Sequence, residues 1–128
     1  MPFINIKINA HESEELREKV ANIILNNTSN ILNKKRDLTS ILVEFLPENS
    51  WFIGNKKVLT FYFEIKITKG TNTKEQKSKY IKAMYEDLKK LLGDISPASY
   101  VTIDEVEADA WGFEGLTQEF RYIESKLL

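Results

Sequence analysis

The sequence predicts an α/β (α+β) fold: two tandem β-α-β units building one four-stranded mixed sheet, with two helices on one face. Three observations carry that expectation. Trp51-Phe-Ile-Gly-Asn recurs as Trp111-Gly-Phe-Glu-Gly, and these are the only two tryptophans in the chain. The spacing between them, 111 − 51 = 60, also lays Thr39–Glu44 on Ser99–Asp104 and Ser13–Glu15 on Thr73–Glu75. Shortened by one, to 63 − 4 = 59, it lays Ile4–Ile8 on Phe63–Ile67. Blocks that match in the same order mark one unit written twice.

Each element of the first unit follows from its pattern. Ile4, Ile6 and Ile8 alternate with Asn5, Lys7 and Asn9, the period of a half-buried strand. Leu16, Val20, Ile23, Ile24, Asn27 and Ile31 then trace one helix face, with Ser13 placed to cap its start. The basic run Asn33–Arg36 reads as a solvated turn. Beyond it Ser40–Leu46 forms the second strand, which stops at Pro47-Glu-Asn-Ser.

The second unit is written more strongly. Phe61, Phe63, Ile65 and Ile67 alternate with Tyr62, Glu64, Lys66 and Thr68, and Gly70–Thr73 has the composition of a turn. Thr73 and Gln76 have the spacing of a capping box. Ile81, Met84, Tyr85, Leu88, Leu91 and Leu92 supply the buried stripe of the second helix, and Gly93 is a natural C′ residue just past its end. Ser99–Val106 is the last long strand. Within one domain over residues 1–128, repeat one is expected at about 2–57, repeat two at about 58–116, and a tail at about 117–128.

A strand, a crossover helix and a second strand in one sheet imply parallel pairing within each unit. Both helices then share a face. The opposite face carries Phe3, Asn5, Lys7, Tyr62, Glu64 and Lys66, too polar for a core, and is expected to meet other copies of the chain through sheet faces or edges.

Composition narrows the chemistry. A formal net charge of −1 lacks the basic excess that phosphate contacts require, so no nucleic-acid partner is expected. Without cysteine there is neither disulfide nor thiolate, and one histidine, His11, cannot build a histidine metal site, so no metal and no cofactor is expected. No apolar run reaches the roughly 20 residues of a membrane span, and the N-terminus lacks the order of a signal peptide. The expected location is cytoplasmic, with no membrane partner.

Met1-Pro2 leads straight into the first strand. A small residue at position 2 permits removal of the initiator methionine, leaving proline as the terminal secondary amine. An α-amino group titrates not far above neutrality, and burial or nearby cations lower it further, which suits a general base.

Pro2 before a strand, Leu38–Val43 as second strand, Trp51-Phe-Ile-Gly and the second copy of the unit together resemble the tautomerase superfamily. That superfamily includes 4-oxalocrotonate tautomerase (4-OT), macrophage migration inhibitory factor (MIF), malonate semialdehyde decarboxylase and the cis-3-chloroacrylic acid dehalogenases. Gly70–Lys77 and the tail Asp104–Arg121 are similar to a set of bacterial members. The resemblance implies a homotrimer with the terminal proline in a pocket near subunit boundaries, acting as base in tautomerases and as acid in decarboxylases and dehalogenases. It further implies a small 2-oxo acid or enol as substrate, whose carboxylate a cation would hold.

Here the sequence departs from the best-known members. Glu12 and Leu42 stand where the short tautomerase has arginines, and Gly70 and Asn72 where the decarboxylase has its pair. Phe61 stands where the second unit would need a proline. The carboxylate is therefore assigned to Lys69 or Arg121, with Asn72 either a donor to a substrate oxygen or a cap on the turn before the second helix, and Asp37 as an auxiliary water-activating group. Trp51 and Trp111 match an aromatic wall of the pocket. The resemblance thus points to a keto-enol tautomerase of an enolisable 2-oxo acid. Its alternatives are a decarboxylase, hydratase or dehalogenase using protonated Pro2, or a non-catalytic trimeric binding module.

Overall fold

The computed structural model describes residues 1–126. A single four-stranded sheet runs in the order β2 (Ser40–Phe45), β1 (Phe3–Ile8), β5 (Phe61–Thr68), β6 (Tyr100–Val106). The outer pairs β1·β2 and β5·β6 are parallel, as the crossover argument requires, while the central pair β1·β5 is antiparallel. The result is the mixed α+β architecture expected from the repeats. Helices α1 (Glu14–Leu32) and α2 (Lys74–Leu92) link the parallel pairs and pack on each other.

The register records the duplication residue by residue. Ile4 lies opposite Ile41, and Phe63 opposite Val101, so β1 repeats at 63 − 4 = 59 and β2 at 101 − 41 = 60. In the central ladder Ile4 faces Ile65 and Ile6 faces Phe63, an arrangement that the exchange of halves maps onto itself. Pro2 is thereby equivalent to Phe61.

The core follows from strand alternation. Ile4, Ile6 and Ile8 join Phe61, Phe63, Ile65 and Ile67 under the helices, where Val20, Ile24, Leu32, Tyr80, Met84 and Leu88 close over them. In the expected stripe of α2 one position differs. Ile81 is 41% exposed and Tyr80 is buried in its place, because its hydroxyl finds Thr28 at 2.7 Å between the helices. Thr28 gives its own proton to the Ile24 carbonyl, so Tyr80 is the donor, and burial holds its phenol neutral by raising its pKa.

Helix ends are fixed locally. Ser13 accepts from the Leu16 amide at 3.1 Å, and Thr73 and Gln76 form the full reciprocal box at 2.9 and 3.1 Å. Gly93, at φ 95°, ends α2. After β2 and β6 come two short hairpins: β3 (Phe52–Ile53) with β4 (Lys56–Lys57), and β7 (Gly112–Phe113) with β8 (Leu116–Thr117). The Trp51 carbonyl closes the first by accepting from Val58, and the Trp111 carbonyl the second by accepting from Gln118. The tail after β8 is a third helix, α3 (Gln118–Lys126), whose first turn Thr117 caps through the Phe120 amide.

The open sheet face is polar in both halves. Lys7 and Asn5 meet Glu44, and at the equivalent positions Lys66 meets Asp104 at 2.7 Å and Glu64 at 3.3 Å. No helix among the described residues is long and apolar enough to cross a membrane.

Candidate active site

Pro2 is buried at the point where β1 begins, and its carbonyl accepts from the Ser40 amide at 3.2 Å as β2 starts alongside. The antiparallel ladder sets Phe3 opposite Lys66, so the beginning of β1 lies beside the end of β5. There the hairpin of the second half folds over it. The outcome is a cleft of about 600 Å³ lined by Met1, Pro2, Phe3, Asp37–Ser40, Lys66, Trp111–Phe113 and Gln118.

Each wall has a local cause. Trp111 is pinned by its indole N–H, which donates to Thr68 Oγ1 at 3.1 Å. Gly112 must be glycine, because a Cβ there would meet the Leu116 carbonyl oxygen at 2.0 Å. Phe113 is backed by Arg121 from α3, whose guanidinium carbon sits 3.7 Å from the ring centroid while Nη2 donates to the Phe113 carbonyl. That stacking leaves Arg121 Nε buried with no hydrogen-bond partner among the described residues. Asp37 reaches the cleft from a 3₁₀ turn, Arg36–Leu38, at the entrance to β2.

The assigned residues divide between four places. Pro2, Asp37 and Trp111 line one cleft. Lys69 and Arg121 line a neighbouring cavity instead, and Lys69, 64% exposed in its side chain, pairs with Glu107 at 3.2 Å. Lys69 also stands beyond the last residue of β5, not on its buried face with Phe61. Asn72 turns inward to structural partners, donating to the Leu32 carbonyl and to Gln76, both at 3.0 Å. Trp51 lies at the other corner, under the first hairpin, away from Pro2.

Sequence reasoning passed over four residues. Lys66 enters the cleft, yet its charge is matched by Asp104 and Glu64, which raise its pKa. Phe113 and Gln118 had no signal beyond the repeat, because a hairpin side chain gains meaning only from what the hairpin covers. Lys34 belongs to the run read as a solvated turn, but it is half-buried and donates to Thr71 Oγ1 at 2.9 Å. Burial lowers the pKa of Lys34. The terminal amine of Met1 is lowered too, first by burial and then by the positive charges of Lys34 and Lys35.

Comparison with known proteins adds a partial sequence match and a shared fold. Residues 62–121 match the family model described as Tautomerase enzyme. No curated protein matches the chain by sequence. Among solved structures it is similar to Pt0534 inactivated by 2-oxo-3-pentynoate, with TM-score 0.84 and 13% identity over 93% of this chain and 98% of that one. A fused 4-OT described as a wild-type asymmetric trimer aligns at TM-score 0.84 and 19% identity, over 94% and 98% of the two chains. The MIF-like protein of Entamoeba histolytica aligns at TM-score 0.77 and 20% identity, over 91% and 97%. The second half of the chain thus carries a tautomerase sequence match, and nearly all of its length has the fold of the 4-OT and MIF-like structures.

Proposed function

We propose that this protein is a keto-enol tautomerase of an enolisable 2-oxo acid, working as a cytoplasmic homotrimer, with Pro2 as the base once Met1 has been removed. One observation carries the reading: Pro2 is buried at the floor of a cleft of about 600 Å³ walled by Trp111 and Phe113. Burial and the neighbouring lysines disfavour a charged terminal amine here, and the same surroundings favour a neutral secondary amine on Pro2. Such an amine takes the proton from the enol hydroxyl or from C3 and returns it to another carbon. Support from relatives is of two kinds. Pt0534 is inactivated by a 2-oxo acid, and a fused 4-OT of this fold is a trimer.

The carboxylate anchor in this reading is Lys34. Near the terminal amine Lys34 is half-buried and donates to the Thr71 hydroxyl, Lys35 is exposed, and Lys66 is held by two carboxylates. A half-buried ammonium gives a strong charge-assisted contact to an anion. Keto-enol conversion of phenylenolpyruvate or 2-hydroxymuconate, compared between the wild type and Pro2→Ala, tests the assignment. Loss of conversion in the variant supports it; equal inertness of both, across a panel of 2-oxo acids, favours a binding module.

A second reading rests on Asp37, which lines the same cleft as Pro2. A carboxylate there can take a proton from water while protonated Pro2 donates to the substrate carbon, as hydration or decarboxylation would need. Replacing Asp37 by Asn separates the two: tautomerisation survives that change and water addition does not.

A further inference from the structure

A second cavity, of about 560 Å³, adjoins the Pro2 cleft. Its walls come from the turn after β5, with Thr68 and Thr71, from Ala108, and from α3, with Arg121 and Tyr122. Met1 and Gln118 line both cavities and so form the partition between them. Gln118 is fixed there by its backbone amide, which bonds the Trp111 carbonyl at 3.0 Å. The Arg121–Phe113 stack is a second shared wall, because Phe113 faces the first cavity and Arg121 the second.

Of these two partition residues, Met1 is the one that maturation would take away. Its removal frees the Pro2 amine and opens the wall in a single event. A short 2-oxo acid fills only part of the first cavity, since clefts of several hundred Å³ suit much larger ligands. We propose that the two cavities join into one bipartite site in the mature chain, and that the second receives the distal chain of an elongated 2-oxo acid. The inference rests on the tautomerase reading above and adds the class of substrate. Contacts to a non-reacting chain, made away from Pro2, raise the efficiency of the reacting end.

The test uses covalent labelling of Pro2 by straight-chain 2-oxo-3-alkynoates of increasing length, beginning with 2-oxo-3-pentynoate. In that reaction the proline nitrogen adds to C4, the displaced π electrons pass to the enolate, and C3 takes up the proton. Intact mass first confirms a chain beginning at Pro2. The expected result is a labelling rate that rises up to about fourfold per added methylene, the worth of one buried CH₂, until the second cavity is full. Ala108→Trp, which fills that cavity, flattens the rise; should that variant fail to fold, Tyr122→Ala at an exposed position extends the rise to longer chains. Equal rates at every length, or an unchanged slope in both folded variants, overturn the bipartite site and leave the tautomerase reading standing. Absence of Pro2 labelling at every length overturns both.

Discussion

The two halves of this chain share one plan and end in different corners. At the Pro2 corner the start of β1, a 3₁₀ turn and the Trp111 hairpin surround a cleft of about 600 Å³. At the equivalent corner the chain passes through Thr60 into Phe61, and the space is taken. Thr60 gives its hydroxyl proton to Ser99 at 2.7 Å, Ser99 passes its own to the Ser96 carbonyl, and the Thr60 amide donates to Asn9 Oδ1 at 2.8 Å. The Asn9 amide group then ties the Glu48 and Val58 carbonyls together. A smaller hollow of about 380 Å³ lies there, beside Leu59 and Asp94–Pro97. A cleft at one corner and a hydrogen-bonded polar plug at the other are what distinguish the two halves.

The sharpest way to break this comparison is to exchange the consequences. Pro2→Ala should cost about 10²- to 10⁴-fold in conversion of a 2-oxo acid with the fold retained, read by steady-state kinetics beside circular dichroism. Phe61→Ala should do the reverse, lowering stability by about 3–5 kcal/mol, because a fully buried ring is lost from the core. Urea unfolding measures the second; a large kinetic defect in the Phe61 variant at full stability would contradict the division of labour.

The polar plug gives a smaller effect. Ser99→Ala leaves the Thr60 hydroxyl buried without its acceptor, for about 1–3 kcal/mol of stability and no change in the activity of the Pro2 corner.

The pH profile sharpens the Pro2 side. A base must be unprotonated to act, so kcat/KM should fall along an acidic limb as pH drops through the pKa of the Pro2 amine. Lys34→Met removes a positive neighbour that favours the neutral amine, and so moves the limb toward higher pH. A limb that stays in place would exclude Lys34 from the electrostatics of the site.

The smallest expected contrast lies between the helix starts. Ser13→Ala removes one accepted bond and Thr73→Ala half of a reciprocal box, each for about 1 kcal/mol, with the Thr73 change the larger. Thermal unfolding of the two variants side by side checks the order.

Much of the fold was legible because it rests on short-range pattern. Alternation in Ile4–Ile8 and Phe61–Ile67, the caps at Ser13 and Thr73, and the repeat spacing each express a local rule, and the sheet assembles from them. Tyr80 was missed because its hydroxyl partner, Thr28, lies on another helix. The site was less legible for the same reason. Lys34 read as a turn lysine until Thr71 and the terminal amine came up beside it, and Asn72 was open between a substrate donor and a cap on the turn until the Leu32 carbonyl and Gln76 took its amide.

By itself the sequence determined two copies of a strand-helix-strand unit, one side of the sheet apolar and the other charged, and a proline at the start of only one copy. Those are consequences of periodicity, capping and residue type, which act over a few neighbours. Only the tertiary structure decided that the second half's Trp111 hairpin covers the first half's Pro2, and that Trp51 does not share that cleft. It also set Lys69 and Arg121 in an adjoining cavity rather than in the cleft itself. The physical reason is the antiparallel pairing of β1 with β5, which brings the beginning of one unit against the end of the other.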